Sequence, residues 1–239
     1  MQLRQILAQG AVYAAYQPIR RLKDGSLFAH EALARGPEGP LHSPAQLFQA
    51  AAAEGLLFAL ELACRTAALE RKPPGVLCLN VDPLTLQDPA FTRGMTAQVL
   101  AALGVSPREV IFEITERIAI TDYDLFRRTL GHYRSQGYRI ALDDVGAGYS
   151  NLRLVAEAGP EFLKIDQGLV RGCARAKARR AAVSALARMA EECDAVAIAE
   201  GIETAEDLRV LVDLGVPLGQ GFLLGHPAPH REPAGAARR

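Results

Sequence analysis

The chain has 239 residues with 27 basic and 27 acidic side chains, no formal net charge, and 49% hydrophobic positions. That balance lacks the basic excess expected of a protein that binds a nucleic acid polymer, and the length suits one domain of the larger kind, such as a barrel. No apolar run approaches the roughly 20 residues of a membrane span, and the opening MQLRQILAQG is interrupted by Gln5 and Gln9 too early for a secretory signal, so a cytoplasmic chain is expected.

Eight short runs read as strands. The first two, VYAAYQPI (12–19) and LFAHEAL (27–33), are joined by RLKDGS. Asp24-Gly25 in that link is a hairpin signal, so these two strands should be antiparallel. A helix follows at Ser43-Pro-Ala-Gln46, a capping box with proline at the first helical position. Leu47, Phe48 and Ala51 give it one apolar face, and Gly55 is its stop. The next strands are VLCLNV (76–81), EVIFEIT (109–115), YRIALD (138–143), EFLKID (161–166), AVAIAE (195–200) and GQGFLL (219–224). Most are apolar almost throughout, as in strands covered on both faces. Helical patterns fill most of the gaps; one starts at Thr204, carries Leu208, Leu211 and Leu214, and stops at Gly215.

The basic run RGCARAKARR (171–180) reads as the start of a solvated helix, with attraction of an anionic substrate as the alternative. The domain is placed at residues 1–228, and the Pro-, Ala- and Arg-rich stretch HPAPHREPAGAARR, from His226, should fray, leaving 229–239 as a flexible tail. Cys64, Cys78, Cys173 and Cys193 show no CxxC spacing and read as buried structural thiols. Strands alternating with helices predict an α/β fold, a (β/α)8 TIM-like barrel with one antiparallel strand at the N-terminal hairpin.

The strand ends carry the chemistry. In chain order they are Glu31, Asn80, Glu113, Asp143 with Asp144, Lys164, Glu200 and Gln220. Singly, each has an ordinary reading: Asn80 as a turn residue, the Asp pair as solvated or capping, Glu200 as a cap before Thr204. Lys164 is harder to dismiss, because a lysine inside the apolar FLKID needs an anionic partner or must lose its proton. In a barrel these ends converge on one face. Two adjacent carboxylates roughly 4 Å apart repel by about 4 kcal/mol at an effective dielectric of 20. Cations between them remove that cost, and oxygen-only ligands select magnesium or manganese. An excess of carboxylates calls for two ions, with Asp143 bridging them and Asp144 binding one. The glycines at 146 and 148 should let the chain turn so that both acids face the site. The GxG there, with Asp166 about twenty residues on, imitates a dinucleotide fingerprint, but the third glycine is missing and the acids oppose a pyrophosphate.

These stretches resemble the EAL family of cyclic di-GMP phosphodiesterases. The resemblance is carried, in the family's order, by YQPI (16–19), EALARG (31–36), LNVDP (79–83), FEITE (112–116), DDVGAGYS (143–150), LKID (163–166), AEGIET (199–204) and QGF (220–222). It implies an EAL barrel, a homodimer, and hydrolysis of cyclic di-GMP to linear pGpG with two divalent cations, magnesium or manganese, calcium being inhibitory. It implies Glu31, Asn80, Glu113 and Asp143 as ligands of one ion, and Asp143 and Asp144 as ligands of the other. Glu200 would be a further metal ligand or orient the attacking water, and Lys164 would hydrogen-bond that water and offset charge. Arg35 resembles the phosphate-contacting arginine. Gln17, Leu33, Asp166, Glu203 and Gln220 fall among the substrate-pocket positions, and Glu116 resembles the glutamate that anchors the loop after the Asp pair. The family commonly has DDFGTGYSSL where this chain has DDVGAGYSNL. Val145, Ala147 and Asn151 therefore bear on rate and regulation, while no ligand is lost.

Overall fold

The Asp24-Gly25 turn does fold the first strands onto each other. The computed structural model describes residues 2–82, 95–115, 122–147 and 152–230. In it β1 (Tyr13–Arg21) pairs antiparallel with β2 (Leu27–Arg35), setting Gln17 opposite Glu31. From β2 the sheet continues in parallel through β3 (Val76–Val81), β4 (Val110–Thr115), β5 (Arg139–Val145), β6 (Phe162–Ile165), β7 (Val196–Ala199) and β8 (Leu218–Gly219). β8 returns to β1 antiparallel, at Arg20 and Arg21, and this closes an eight-strand barrel with β1 as its one reversed strand.

Helices cover the outside. They are α1 (Gln2–Ala8), α2 (Pro44–Glu54), α3 (Leu57–Glu70), α4 (Met95–Leu103), α5 (Tyr123–Ser135), α6 (Leu152–Ala158), α7 (Gln167–Val170), α8 (Lys177–Glu192) and α9 (Ala205–Asp213). The α2 capping box forms as read, with Ser43 and Gln46 bonded reciprocally and Gly55 left-handed at the C-cap. Thr204 caps α9 through the Asp207 amide, and left-handed Gly215 follows its end. Between the barrel and the helices lies the larger core, in which Phe112 of β4 stacks on Tyr138 at 4.6 Å and meets Tyr133 of α5 edge-on.

Several expectations change. The run at 219–224 is not a strand: β8 stops at Gly219, and the chain turns, with the amides of Leu224 and Gly225 donating to the Gly221 carbonyl. The physical reason is close approach. A Cβ on Gly221 would lie 2.2 Å from the Ile202 backbone, so the chain is pressed against the loop after β7 and cannot run on beside β1. Phe222 and Leu223 are left exposed by that turn. The basic run at 171–180 does not begin a helix at Arg171; α8 starts at Lys177 after a turn. The N-terminal residues form α1, which buries Leu3 and Ile6. Ala228 and Pro229 pair with Tyr16 and Ala15 of β1, within the stretch expected to fray. Cys78 and Cys173 are buried, but Cys64 is only half-buried and Cys193, at the end of α8, is exposed. No helix among the described residues is long and apolar enough to cross a membrane.

Candidate active site

The barrel interior is built in layers, and the period of two along a strand decides what each layer contains. One layer takes a residue from every strand: Ile19, Ala29, Cys78, Ile111, Ala141, Phe162, Ile198 and Leu218, all buried. Two residues along each parallel strand, the same inward face brings Glu31, Asn80, Glu113, Asp143, Lys164, Glu200 and Gln220. Two residues back along the reversed β1 comes Gln17. An apolar plug thus carries a wholly polar layer, and all eight residues of that layer are among those the sequence pointed to.

Lys164 is the centre of this layer and only 1% exposed. Its Nζ lies 2.9 Å from Asp143, 2.9 Å from Glu200, 3.2 Å from Glu113 and 3.5 Å from Glu31. Burial works against its charge, but the surrounding carboxylates, Asp143 foremost, raise the ammonium pKa well above its ordinary value. Burial raises the Glu113 carboxyl well above the usual range despite Lys164. Asp143 is likewise raised by burial, and Glu200 is pushed up to about 8 by burial. Glu31 differs. Burial raises it too, yet Lys164 and the amides of Gln220 and Asn80 outweigh that and hold it below the usual range. Those amides donate to Glu31 at 2.6 Å and 3.1 Å, and Gln220 donates also to Gln17 at 2.9 Å. Gln17 and Gln220 therefore orient Glu31 as well as lining the opening.

The Asp pair resolves differently from expectation. Successive strand residues normally point to opposite faces, and the glycines were expected to undo that. The structure does it at Asp144 itself, which is left-handed with φ 58°, inside a register break between Leu142 and Val145. A bulge of this kind re-aims a side chain at a cost of about 1–3 kcal/mol in backbone strain. As a result carboxylate oxygens of Asp143, Asp144 and Glu200 come within 4.8 Å of one another. Among the described residues neither buried oxygen of Glu113 has a well-aligned hydrogen-bond donor, and this carboxylate faces Lys164 at 3.2 Å together with the like charges of Glu31, Asp143 and Glu200. Converging oxygen donors, one of them undersatisfied, fit a hard divalent cation such as magnesium or manganese.

Over this floor opens a cavity of about 370 Å³. Glu31, Asp143, Asp144 and Glu200 form its base, and Gln17, Leu33, Arg35, Glu203 and Gln220 line its sides. Glu113 and Lys164 lie behind the base and do not line it. Asp166, grouped with the substrate positions, is elsewhere: β6 ends at Ile165, and the Asp166 carboxylate caps α7 by accepting from the Gly168 amide at 2.9 Å. Glu116 and Asn151 lie outside the described residues. Sequence reading missed Gln167, Gly201 and Phe222 in the cavity wall and treated Arg171 only as part of a basic run. Arg171 pairs with Glu203 at 2.8 Å across the rim.

The sequence pattern of the EAL domain matches residues 1–227. A Caulobacter vibrioides protein described as an uncharacterized signaling protein is 32% identical over 95% of this chain and 29% of its own length. The cyclic di-GMP phosphodiesterase RocR of Pseudomonas aeruginosa is 30% identical over 94% of this chain and 59% of its own length. The chain thus spans 29% and 59% of the length of these two relatives, less than two thirds of either. The BlrP1 protein of Klebsiella pneumoniae, solved as a manganese and cyclic di-GMP complex, superposes with a TM-score of 0.83 at 32% identity, covering 91% of this chain and 56% of that one. A calcium and cyclic di-GMP complex of the same protein superposes equally well, at 0.83.

Proposed function

The chain belongs to the EAL domain family, and from that premise we propose that it is a metal-dependent phosphodiesterase that opens cyclic di-GMP to linear pGpG. The observation that carries the reading is the polar layer: each barrel strand, or the residue just past its end, contributes one polar side chain, and the oxygens of Asp143, Asp144 and Glu200 converge within 4.8 Å. The manganese and cyclic di-GMP complex of the Klebsiella protein supports it. In this reading Glu31, Asn80, Glu113 and Asp143 would hold one divalent cation and Asp143 and Asp144 a second, with Glu200, whose carboxylate lies within 4.8 Å of that pair, as a further ligand. When bound, the cations supply Lewis-acid charge for the phosphoryl oxygens and a lowered pKa for the attacking water.

The chain's own residues do the rest. Glu200 orients the water, and Lys164, 2.9 Å from Glu200 and Asp143, donates toward it and offsets carboxylate charge. Gln220 and Asn80 fix the rotamer of Glu31 before any ligand arrives, which is preorganisation of the kind that lowers a barrier. Arg35 binds a phosphate. The water adds to phosphorus and the P–O3′ bond breaks; one of the water's protons ends on O3′ and the other stays with the new 5′-phosphate or passes to solvent, so one ring opening yields a 5′-phosphorylated linear dinucleotide. Leu33 and Glu203 belong to the substrate wall, and a homodimer is part of the reading.

The test is purified protein with cyclic di-GMP and magnesium or manganese, the products separated by chromatography and the oligomer followed by light scattering. Turnover to pGpG that stops in EDTA, is poorly supported by calcium, and falls by orders of magnitude in Glu31→Ala is expected. Turnover in EDTA would refute the metal mechanism. Tight binding without turnover in either metal would make the chain a cyclic di-GMP receptor instead.

A further inference from the structure

The Arg171–Glu203 pair sits on two consecutive loops, one after β6 and one after β7, and both loops line the cavity. About half of the Arg171 side chain is open to solvent, and an exposed pair of this kind is worth little by itself. What fixes it lies underneath. Asp207, the third residue of α9, is 4% exposed. In a capping box a Glu or Gln at that position returns its side chain to the N-cap amide of its own helix. Asp207 accepts instead from the amides of Gly172 at 3.0 Å and Ala174 at 2.9 Å, more than thirty residues earlier, and from the Thr204 hydroxyl at 2.9 Å.

One buried carboxylate therefore bolts the turn after α7 to the start of α9, with Arg171 immediately before the bolted turn and Glu203 immediately before the cap. A second contact presses the same two loops together. Gly201 is left-handed at φ 67°, and a Cβ there would lie 2.5 Å from Gln167 and 3.1 Å from Arg171 Nε. Among the described residues lining this cavity the cations are Arg35 and Arg171, against the five carboxylates Glu31, Asp143, Asp144, Glu200 and Glu203. An anionic substrate gains most from a cation whose position is set in advance.

We infer that Asp207 is a positioning residue for substrate binding, holding the turn from Gly172 to Ala174 against α9 so that Arg171 is presented, through its pair with Glu203, as a fixed cation at the cavity rim. The inference rests on the proposed cyclic di-GMP activity. It assigns to Arg171 a part in binding the dianionic ligand and no part in the bond-breaking step. A carboxylate is needed because both its oxygens accept from amides; an asparagine would turn a donor toward one of them.

Asp207→Asn should raise KM for cyclic di-GMP, and Kd measured in calcium, by about tenfold while kcat and manganese affinity stay unchanged. Amide exchange at Gly172 and Ala174 should quicken. In an Arg171→Ala background Asp207→Asn should add nothing, since it acts through that residue. Arg171→Ala alone leaves the Asp207 bonds in place and should raise KM similarly, which keeps the proposal testable if Asp207→Asn does not fold. An unchanged KM in Arg171→Ala, additive losses in the double variant, or a fall in kcat and manganese affinity alongside KM would each overturn it. Wild-type protein that binds no cyclic di-GMP would overturn the functional reading and this proposal together, whereas normal wild-type binding with an unchanged Asp207→Asn would overturn this proposal alone.

Discussion

Replacing Lys164 with Met keeps the buried apolar stem and removes a cation that lies within 3.5 Å of Glu31, Glu113, Asp143 and Glu200. At such distances and an effective dielectric of 20, each contact is worth about 5 kcal/mol before desolvation is counted. The net loss is smaller, about 3–5 kcal/mol for breaking a buried ion pair. It should fall near 3 kcal/mol, because Glu113 and Glu200 already have raised pKa values and can take up protons as the ammonium leaves. For a chain of this size that lowers Tm by about 6–12 °C in EDTA. Adding manganese should narrow the gap from wild type, since divalent charge can replace the lost ammonium and stabilises whichever form binds it more tightly. Turnover should nevertheless fall at least about a hundredfold, about 2.7 kcal/mol of barrier. Calorimetric melts of both proteins, with and without manganese, and chromatographic turnover assays measure these together. A Tm loss that manganese leaves unchanged, or wild-type turnover in Lys164→Met, would refute the view that Lys164 and the cations share one carboxylate cluster.

Metal binding should release protons at neutral pH, because burial pushes the metal-free Glu200 carboxyl up to about 8 and raises Asp143, and a ligand must be ionised. Apparent manganese affinity should therefore rise with pH and level off above about pH 8; calorimetry in buffers of different ionisation enthalpy reads this, and zero proton release at pH 7 would contradict it. Val145 is 1% exposed in the core, so Val145→Phe alone should cost about 1–3 kcal/mol by urea unfolding. Paired with Ala147→Thr it should lower the metal concentration for half-maximal activity, and an unmoved metal titration would separate this loop from the site. Gly221→Ala places a methyl 2.2 Å from the Ile202 backbone and should destabilise by a similar amount. It should also weaken turnover through the neighbouring Gln220, and a wild-type melting curve for this variant would show that the turn yields freely.

Seven of the barrel's eight strands and the polar layer were legible in the order of residues, because the inward face of a strand recurs every two positions. Apolar runs ending in Glu31, Asn80, Glu113, Asp143 and Glu200 state which face turns inward and where it becomes polar. Lys164 within FLKID states that it either meets an anion or loses its proton. These are local facts, and a closed sheet carries them directly to one place. GQGFLL misled for the same reason: an apolar hexapeptide looks like a strand until the Ile202 backbone is known to stand against Gly221. Tertiary structure alone decided how neighbours share space. The left-handed backbone at Asp144 sets both acids on one side. The strand that ends at Ile165 diverts Asp166 to a cap. The Asp207 carboxylate reaches back to Gly172 and Ala174, and its partners lie too far away in sequence for any spacing to reveal them. Periodicity records which way a side chain points, whereas the group it meets depends on how loops from different strands pack over the barrel mouth.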